Sequence, residues 1–472
     1  MSFVIFVNGL VLILSAAAMA LIALIFPETR GPFEEAALLV GTLGALLCIT
    51  TSRDLSRFRR LHGFLLTSSV WLTAAAAGSF PLWLWGMDET DAFFEAMSGI
   101  STTGATVMSG LDDTPHGILM WRAVLQWAGG IGFIVTGMAL LPMLRVGGMQ
   151  LFRLESSDKG DRELVNAARF ASATLWVYLS LTVLCALLYA LGGMTIFEAI
   201  AHALTTLSTG GYSTSDSSFG HFTSPFLQWT GTAFMLAGGL PFAWYIRGLT
   251  RGLWESEQVS ALLQGLLVVI LALTLLHFLT SEAGLEESLR HVAFSVISVV
   301  TTTGFATVDY TTWGPPAVVI FFLLTAFGGC TGSTAGGVKT MRWIILWRLL
   351  RVRLEAIHSP HAVHTMRYES RVVAPDQLAG VIAFFSVFFL SFTVLAIALA
   401  LLGLDAQTAI SGALTSLTNV GPGVGEIIGP SGNFATLPDA AKWVLALGMY
   451  LGRLEMLTVF VLLVPSFWRE LA

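Results

Sequence analysis

Charged side chains are scarce in this chain of 472 residues. Only 11% of the residues are charged, while 55% are hydrophobic and the mean hydropathy is +0.77. Ordinary soluble domains carry about 25% charged residues, so the composition excludes a soluble protein and indicates a polytopic membrane protein. The small net charge of −6 and the lack of any long basic run argue against a nucleic-acid partner.

Cysteine is rarer still, with three residues, and catalytic motifs are missing. Cys48, Cys185 and Cys330 share no close spacing and lie in apolar surroundings, so neither a disulfide framework nor a metal site is expected. The apolar spans hold no Ser/His/Asp set, no HExxH motif and no paired aspartates, which argues against an enzyme. The glycine-rich stretch 328–340 fails the phosphate-loop pattern, because Lys339 does not directly follow the last glycine, so no nucleotide cofactor is expected on this chain. The N-terminus has no basic region before its apolar core, so residues 2–26 are interpreted as a retained membrane helix.

Apolar stretches of roughly 20 residues, the length that a membrane helix needs, recur along the chain. We expect ten spans, at roughly 2–26, 36–52, 63–87, 123–144, 170–197, 222–246, 258–281, 313–338, 377–404 and 438–465. Most lysines and arginines lie in the segments after the second, fourth, sixth and eighth spans. The excess of positive charge on the cytoplasmic side of membrane proteins therefore predicts that these segments and both termini are cytoplasmic.

The connections on the opposite side have an unusual common pattern. After the third, fifth, seventh and ninth spans come a half-length apolar helix and a Gly/Thr-rich turn. The predicted half-helices lie at roughly 90–101, 195–207, 286–300 and 406–418. Irregular backbone at membrane depth is tolerated only inside protein or beside a water-filled cavity, so we interpret each unit as a re-entrant pore loop. Small-residue packing between helices could explain one such turn, but it does not explain four in register.

The four turns align on Gly104, Gly211, Gly304 and Gly421, about 100 residues apart, which indicates an internal repeat. All four copies point the same way, so we expect them to surround one axis. Glycine adopts positive φ freely, so carbonyl oxygens can face that axis and replace the hydration shell of a cation. The predicted units are an N-terminal helix pair at 1–52 and four pore repeats at 53–165, 166–257, 258–372 and 373–472.

Six segments carry a family resemblance. They read STTGAT at 101–106, STGGYS at 208–213, TTTGFAT at 301–307, GGCTGSTAGGVKT at 328–340, TNVGPG at 418–423 and LGRLEMLT at 451–458. The chain resembles the Trk/Ktr/HKT superfamily of potassium transporters across essentially its whole length. The two additional N-terminal spans favour the TrkH branch, which implies an all-α polytopic membrane protein with four pseudo-symmetric span–pore helix–filter–span repeats behind two extra helices.

The resemblance implies which residues hold K⁺. Backbone oxygens beside the four glycines are the implied ligands, at Thr102, Thr103, Thr209, Gly210, Thr302, Thr303, Asn419 and Val420. All four aligned positions are glycine, so K⁺ is the expected transported ion, with Rb⁺ as a substitute. The four strands differ in sequence and the fourth departs most, so we expect only moderate selectivity over Na⁺.

The resemblance also implies a gate. In the family a loop below the filter blocks the pore, and this loop matches Gly328, Gly329, Gly332, Gly336, Gly337 and Lys339. Five glycines in ten residues disfavour a regular helix. The family places the arginine that matches Arg453 beside this loop in the pore. A purely structural pairing of Arg453 with Glu455 is the alternative, since a charge within a span needs a partner or a cavity.

Partners and mechanism follow mostly from the resemblance. It implies a homodimer in the bacterial cytoplasmic (inner) membrane and a cytoplasmic TrkA-type nucleotide-binding ring, which segment 339–371 could dock; contact with lipid headgroups explains that basic segment nearly as well. A K⁺ symporter coupled to H⁺ or Na⁺ is the alternative to a selective pore, with His277 and Glu455 as candidate coupling groups. His358, His361 and His364 could bind metal or sense pH, but a solvated loop is the simpler interpretation.

Overall fold

Helices account for nearly all of the regular structure. The computed structural model describes residues 1–52, 60–139, 163–359 and 365–471, and helices and strands are numbered here in chain order over those ranges. The helices that precede the third predicted repeat are α1 (Ser2–Ile25), α2 (Arg30–Thr51), α3 (Arg60–Trp85), α4 (Glu89–Ile100), α5 (His116–Ala139), α6 (Glu163–Leu191), α7 (Ile196–Leu207), α8 (Pro225–Gly239) and α9 (Phe242–Arg251). The remaining ones are α10 (Glu257–Thr280), α11 (Leu285–Val300), α12 (Pro315–Thr325), α13 (Thr340–His358), α14 (Pro375–Leu401), α15 (Ala406–Thr418), α16 (Asp439–Arg453), α17 (Leu457–Phe460) and α18 (Pro465–Leu471).

Two very short strand pairs complete the described structure. Strand β1 (Phe327–Gly328) pairs in parallel with β2 (Val338–Lys339), which closes the neck of the glycine-rich segment between α12 and α13. Strand β3 (Arg367–Tyr368) pairs antiparallel with β4 (Arg371–Val372) in a hairpin before α14. Neither pair forms a core of its own, so the fold is all-α in its packing, as the sequence predicts.

Seven helices in the described ranges are long and apolar enough to cross a membrane, or eight if the bent pair α16 and α17 counts as one span. Three of the ten predicted spans are therefore not continuous helices. The sixth divides at Leu240–Pro241, because proline disfavours helical backbone in the residue before it, and the eighth ends at Thr325. The tenth bends by 99° where Glu455 and Met456 adopt φ of +61° and +44°.

The four half-helices lie within one residue of their predicted bounds, at α4, α7, α11 and α15. Their starts are partly capped: the side chains of Asp88, Thr195 and Asp405 accept hydrogen bonds from backbone N–H groups of the first turn. Such caps satisfy donors that have no partner within the helix. Nearly every residue at the opposite ends of these half-helices is buried. The C-terminal ends of the four half-helices therefore meet in the interior of the protein.

The long helices surround these half-helices and leave apolar side chains on the outside. Exposed leucines, isoleucines and valines lie along α1, α2, α6, α10 and α14. An apolar exterior of this kind suits a lipid environment better than water. Helices α1 and α2 approach closely at a pair of glycines, where a Cβ atom on Gly44 would lie only 2.8 Å from the carbonyl oxygen of Gly9. This N-terminal pair packs on α3 and α5 through a shared cluster around Met19, Phe33 and Trp121.

Candidate functional site

Each half-helix ends in the same backbone turn. The first turn residue is left-handed in all four, with φ of +55° at Thr102, +52° at Thr209, +61° at Thr302 and +56° at Asn419. The next N–H then bonds the carbonyl five residues back, as from Thr103 to Ser98 at 2.9 Å, and the other three turns repeat this bond at 2.9 to 3.0 Å. This is the Schellman helix end, which normally uses glycine. A β-branched residue there is strained and persists only where the surroundings impose it.

The aligned glycines that follow are not all in one conformation. Gly104, Gly211 and Gly304 have φ of +83°, +78° and +82°, as the sequence predicts. Gly421 does not have positive φ, so the expectation fails in the fourth turn. The reason is Pro422, because a residue before proline is driven towards extended backbone.

The four turns form a closed circle, which we call the ring (residues 102–104, 209–211, 302–304 and 419–421). The four aligned glycines, Gly104, Gly211, Gly304 and Gly421, are called the ring glycines. A Cβ atom added to any of them would lie within 3.1 Å of the backbone of the next turn. The distances are 2.1 Å from Gly104 to the oxygen of Gly210, 1.9 Å from Gly211 to the oxygen of Thr303, 2.9 Å from Gly304 to the nitrogen of Gly421, and 3.1 Å from Gly421 to the oxygen of Gly104. The fourth contact returns to the first turn, so main-chain atoms surround one common axis.

A cavity of about 260 Å³ opens on one side of the ring, and all four ring glycines line it. Beside it lies a buried ion pair, with 2.7 Å between Nε of Arg122 and Oε1 of Glu95. Arg122 also donates to the carbonyl oxygen of Ser213 at 3.1 Å, and Glu95 accepts from the N–H of Val107 at 3.0 Å. The pair thus ties the chain that leaves the first turn to the chain that leaves the second. Sequence reasoning missed it, although a glutamate inside an apolar half-helix was the available signal.

The glycine-rich loop (residues 326–339) covers the other side of the ring. Its contacts reach three of the four turns: the N–H of Gly336 donates to Oγ1 of Thr302 at 2.7 Å, the N–H of Gly337 donates to the oxygen of Thr418 at 2.8 Å, and Oγ1 of Thr334 donates to the oxygen of Leu207 at 3.0 Å. Thr302 lies in the third turn, while Thr418 and Leu207 are the last residues of α15 and α7. The loop therefore packs directly against the ends of these half-helices.

Arg453 lies beside the loop and the first turn. Its Nη1 donates to the oxygen of Thr334 and its Nη2 to the oxygen of Gly129, both at 3.0 Å. Gly129 is itself in close contact with the end of α4, because an added Cβ would lie 1.9 Å from the oxygen of Ile100. The guanidinium carbon of Arg453 also lies 4.3 Å from the centroid of the Phe133 phenyl group. Arg453 thus links the loop to α5 at the point where α5 packs on the end of α4.

Two further cations lie close to Arg453. Nζ of Lys339 donates to the carbonyl oxygens of Ala335 and Gly336 within the loop. Arg342 forms a buried ion pair with Glu455. Glu455 is therefore paired with Arg342, and among the described residues no carboxylate forms an ion pair with Arg453. The alternative pairing of Arg453 with Glu455 is wrong.

The other predicted gate glycines lie on the far side of the loop. The carbonyl oxygen of Gly332 accepts from the N–H of Phe242 at 3.0 Å. A Cβ on Gly329 would lie 2.7 Å from the oxygen of Gly239, and one on Gly328 would lie 2.2 Å from the oxygen of Gly336. Gly328 thus closes the neck of the loop, while Gly329 and Gly332 hold it against the break between α8 and α9.

Titratable side chains do not assemble into a metal site in the ranges that the structure covers: no group of three or more His, Cys, Asp or Glu could hold an ion there. A cation on the axis would be held by backbone oxygens, to which that search does not apply. Of the three loop histidines, His358 ends α13, whereas His361 and His364 lie outside the described residues. Much of the predicted cytoplasmic positive charge, at 53–59 and 140–162, lies outside them too.

Known proteins share both the sequence and the fold. The family model TrkH, described as a cation transport protein, matches residues 35–470. The chain is 49% identical over 413 residues to the Trk system potassium uptake protein TrkI of Halomonas elongata, covering 86% of this chain and 84% of that protein. It is 36% identical to the Trk system potassium uptake protein TrkH of Escherichia coli over 479 residues, covering 98% of each. The crystal structure of the potassium transporter TrkH from Vibrio parahaemolyticus superposes with a TM-score of 0.90 at 32% identity, covering 99% of each chain.

Proposed function

Since this chain belongs to the TrkH family of cation transport proteins and is a potassium uptake transporter and not an enzyme, we propose that K⁺ crosses the membrane through the centre of the ring. The observation that carries the proposal is the closed circle of four turns, in which each glycine contacts the backbone of the next. A continuous wall of main-chain oxygens is the arrangement that replaces the hydration shell of K⁺ in a selectivity filter.

The ring residues provide the ion ligands. The carbonyl oxygens of Thr103, Gly210, Thr303 and Val420 precede the four ring glycines, and those of the left-handed residues lie one step further in. The C-terminal ends of four half-helices add partial negative charge at the same place. No ionised side chain is needed, so the selectivity for K⁺ rests on the positions of backbone atoms. The predicted repeats at 53–165, 166–257, 258–372 and 373–472 each supply one turn.

The glycine-rich loop closes this pathway. It lies across the axis on the half-helix side of the ring, and Lys339 and Arg453 place positive charge beside it. A cation that leaves the ring in that direction meets both a backbone obstruction and a repulsive potential in a medium of low dielectric constant. Opening requires the loop to give up its bonds to Thr302, Thr418 and Leu207, and Arg453 to release Thr334.

Coupled transport with H⁺ or Na⁺ is the second candidate function, and a buried carboxylate near the pathway is what favours it. Glu455, however, is paired with Arg342. His277 lies in the last turn of α10, where its Nδ1 is 3.0 Å from Oγ of Ser288, away from the ring. Among the described residues, neither group bonds to the ring, so passive flow down the K⁺ gradient is the better supported mechanism.

The location and partners follow from the family. We place the chain in the bacterial cytoplasmic membrane, with both termini and the exposed residues of the basic segment 339–371 in the cytoplasm, as a homodimer whose activity a TrkA-type nucleotide-binding ring controls. Arginines of α13 and of the β3–β4 hairpin, such as Arg351 and Arg367, are exposed on that face and are suited to a partner or to lipid phosphates.

A complementation experiment tests the function. The chain is expressed in a bacterium that lacks its own K⁺ uptake systems but keeps the nucleotide-binding subunit, and K⁺ accumulation is measured at limiting external K⁺. We expect accumulation with the unaltered chain and none with Gly211→Ala, which forces a Cβ onto a ring carbonyl. Equal accumulation with both, at equal amounts of protein in the membrane, would rule out the ring as the pathway.

A further inference from the structure

The second turn of the ring is held by a side-chain amide. Gln126, on α5, is completely buried. Its Nε2 donates to the carbonyl oxygen of Gly210 at 2.6 Å, and its Oε1 accepts from the N–H of Tyr212 at 3.0 Å. The carboxamide thus pairs with the groups on both sides of Gly211, as a neighbouring β-strand would.

The same amide explains why Gly210 is a glycine although its φ is not left-handed. A Cβ atom on Gly210 would lie 2.4 Å from Cδ and from Oε1 of Gln126. In the other three turns, the residue before the ring glycine is Thr103, Thr303 or Val420. The Gln126 side chain occupies the space that a side chain at position 210 would need.

In the second and fourth repeats, the position that corresponds to Gln126 holds methionine. The correspondence follows from three glycines that press on the end of a half-helix: Gly129 on the oxygen of Ile100, Gly238 on that of Leu207, and Gly452 on that of Leu417. The residues three positions before these glycines are Gln126, Met235 and Met449. All three are buried, but only the glutamine has an amide that can bond a ring strand.

We infer that Gln126 is a selectivity-determining residue, which acts by positioning the Gly210 carbonyl in the ion pathway. The inference rests on the proposed function of the ring. A carbonyl oxygen that already accepts a hydrogen bond is restrained from moving towards the axis and presents a weaker field to an ion. Both the position and the field strength of coordinating carbonyls govern the choice between K⁺ and Na⁺. Held in this way, the second strand cannot close around the smaller Na⁺.

The test measures ion binding without requiring an open gate. Purified full-length protein is unfolded thermally over a range of K⁺ and Na⁺ concentrations, and the stabilisation gives an apparent Kd for each ion. We expect Gln126→Met to lower the preference for K⁺ over Na⁺ by roughly fivefold, the ratio that corresponds to one net hydrogen bond. The matched control is Gln228→Met, which removes another buried amide, one that donates to the oxygen of Phe222 at 2.9 Å.

A pair of variants at position 210 checks the steric relation. Gly210→Thr alone should bind neither ion, because its Cβ overlaps the Gln126 amide. Gly210→Thr combined with Gln126→Met places a threonine before the ring glycine, as in the first and third turns, and a methionine at the position of Gln126, as in the second and fourth repeats. This double variant should regain K⁺ binding with the lowered preference for K⁺. Size-exclusion chromatography shows that each variant is folded.

The outcomes distinguish failure of the proposed ring function from failure of the role of Gln126. An unaltered protein that does not prefer K⁺ to Na⁺ would defeat the proposed function itself. If the unaltered protein prefers K⁺, an unchanged ratio in Gln126→Met, an equal fall in Gln228→Met, or failure of the folded double variant to regain K⁺ binding would overturn the role of Gln126.

Discussion

Replacing each ring glycine in turn by alanine should cause a graded loss of K⁺ binding, although the four positions are aligned in sequence. The added Cβ would lie 1.9 Å from a carbonyl oxygen at Gly211 and 2.1 Å at Gly104, but 2.9 Å from the nearest backbone atom at Gly304 and 3.1 Å at Gly421. Real Cβ contacts essentially never fall below 3.0 Å. At Gly104 and Gly211 a carbonyl of the proposed ion pathway must therefore move by about 1 Å, which is large for a site whose selectivity depends on ligand position.

Backbone conformation reinforces this order. Alanine in the left-handed region costs roughly 1–2 kcal/mol, and this cost applies at Gly104, Gly211 and Gly304 but not at Gly421. We expect Gly104→Ala and Gly211→Ala to lose measurable K⁺ binding, and Gly304→Ala to be intermediate. Gly421→Ala needs a shift of only a few tenths of an ångström, so its loss should stay below about tenfold, or 1.4 kcal/mol.

The assay is the K⁺ dependence of thermal unfolding, applied to purified variants that elute as the unaltered protein does. Gly265→Ala is the control, because an added Cβ there meets nothing within 4 Å. Its K⁺ binding should be unchanged. Equal losses at all four ring positions, or the greatest loss at Gly421, would refute the argument that the ring is closed by contacts of unequal tightness.

Two further predictions concern the gate. Arg453→Ala should raise basal Rb⁺ flux into liposomes that contain the purified protein, since it removes the cation that links the loop to α5. Arg453→Lys should raise this flux less. Unchanged flux in a folded Arg453→Ala variant would contradict the gating role. Gln258→Leu should raise basal flux by roughly fivefold, because Oε1 of Gln258 accepts from the N–H of Thr331 in the loop at 2.9 Å and a net hydrogen bond contributes about 1 kcal/mol. The control is Gln264→Leu, on an exposed position of the same helix, and an equal effect of both would show that the loop is not involved.

Local signals made the half-helices and their turns predictable. A short apolar segment behind a capping residue such as Asp88 or Asp405, followed by a Gly/Thr turn, determines a half-length helix through its own neighbours. The positions of the turns along the chain then indicate four copies. What the turns contact could not be predicted in the same way, because the partner of each ring glycine lies in another repeat, about 100 residues away in the chain.

One failed prediction is due to long-range pairing and another to a neighbouring residue. Glu455 lies only two residues from Arg453 in the sequence, but the backbone breaks at Glu455 and its carboxylate pairs with Arg342. Pro422 changes the conformation of the fourth ring glycine, and this could have been predicted from the X-Pro rule. Gln126 gave no signal at all, since one glutamine within a membrane span has many possible partners.

Passive flow of K⁺ through the ring can be measured in a purified system. The most direct test is uptake of radioactive Rb⁺ into liposomes that contain the purified protein and are loaded with K⁺, with proton and sodium gradients collapsed and with Na⁺ and choline as control ions. We expect Rb⁺ accumulation that persists without those gradients, increases in Arg453→Ala and is absent in Gly211→Ala. Rb⁺ uptake that stops when either gradient is removed, or that is the same in Gly211→Ala as in the unaltered protein, would contradict it.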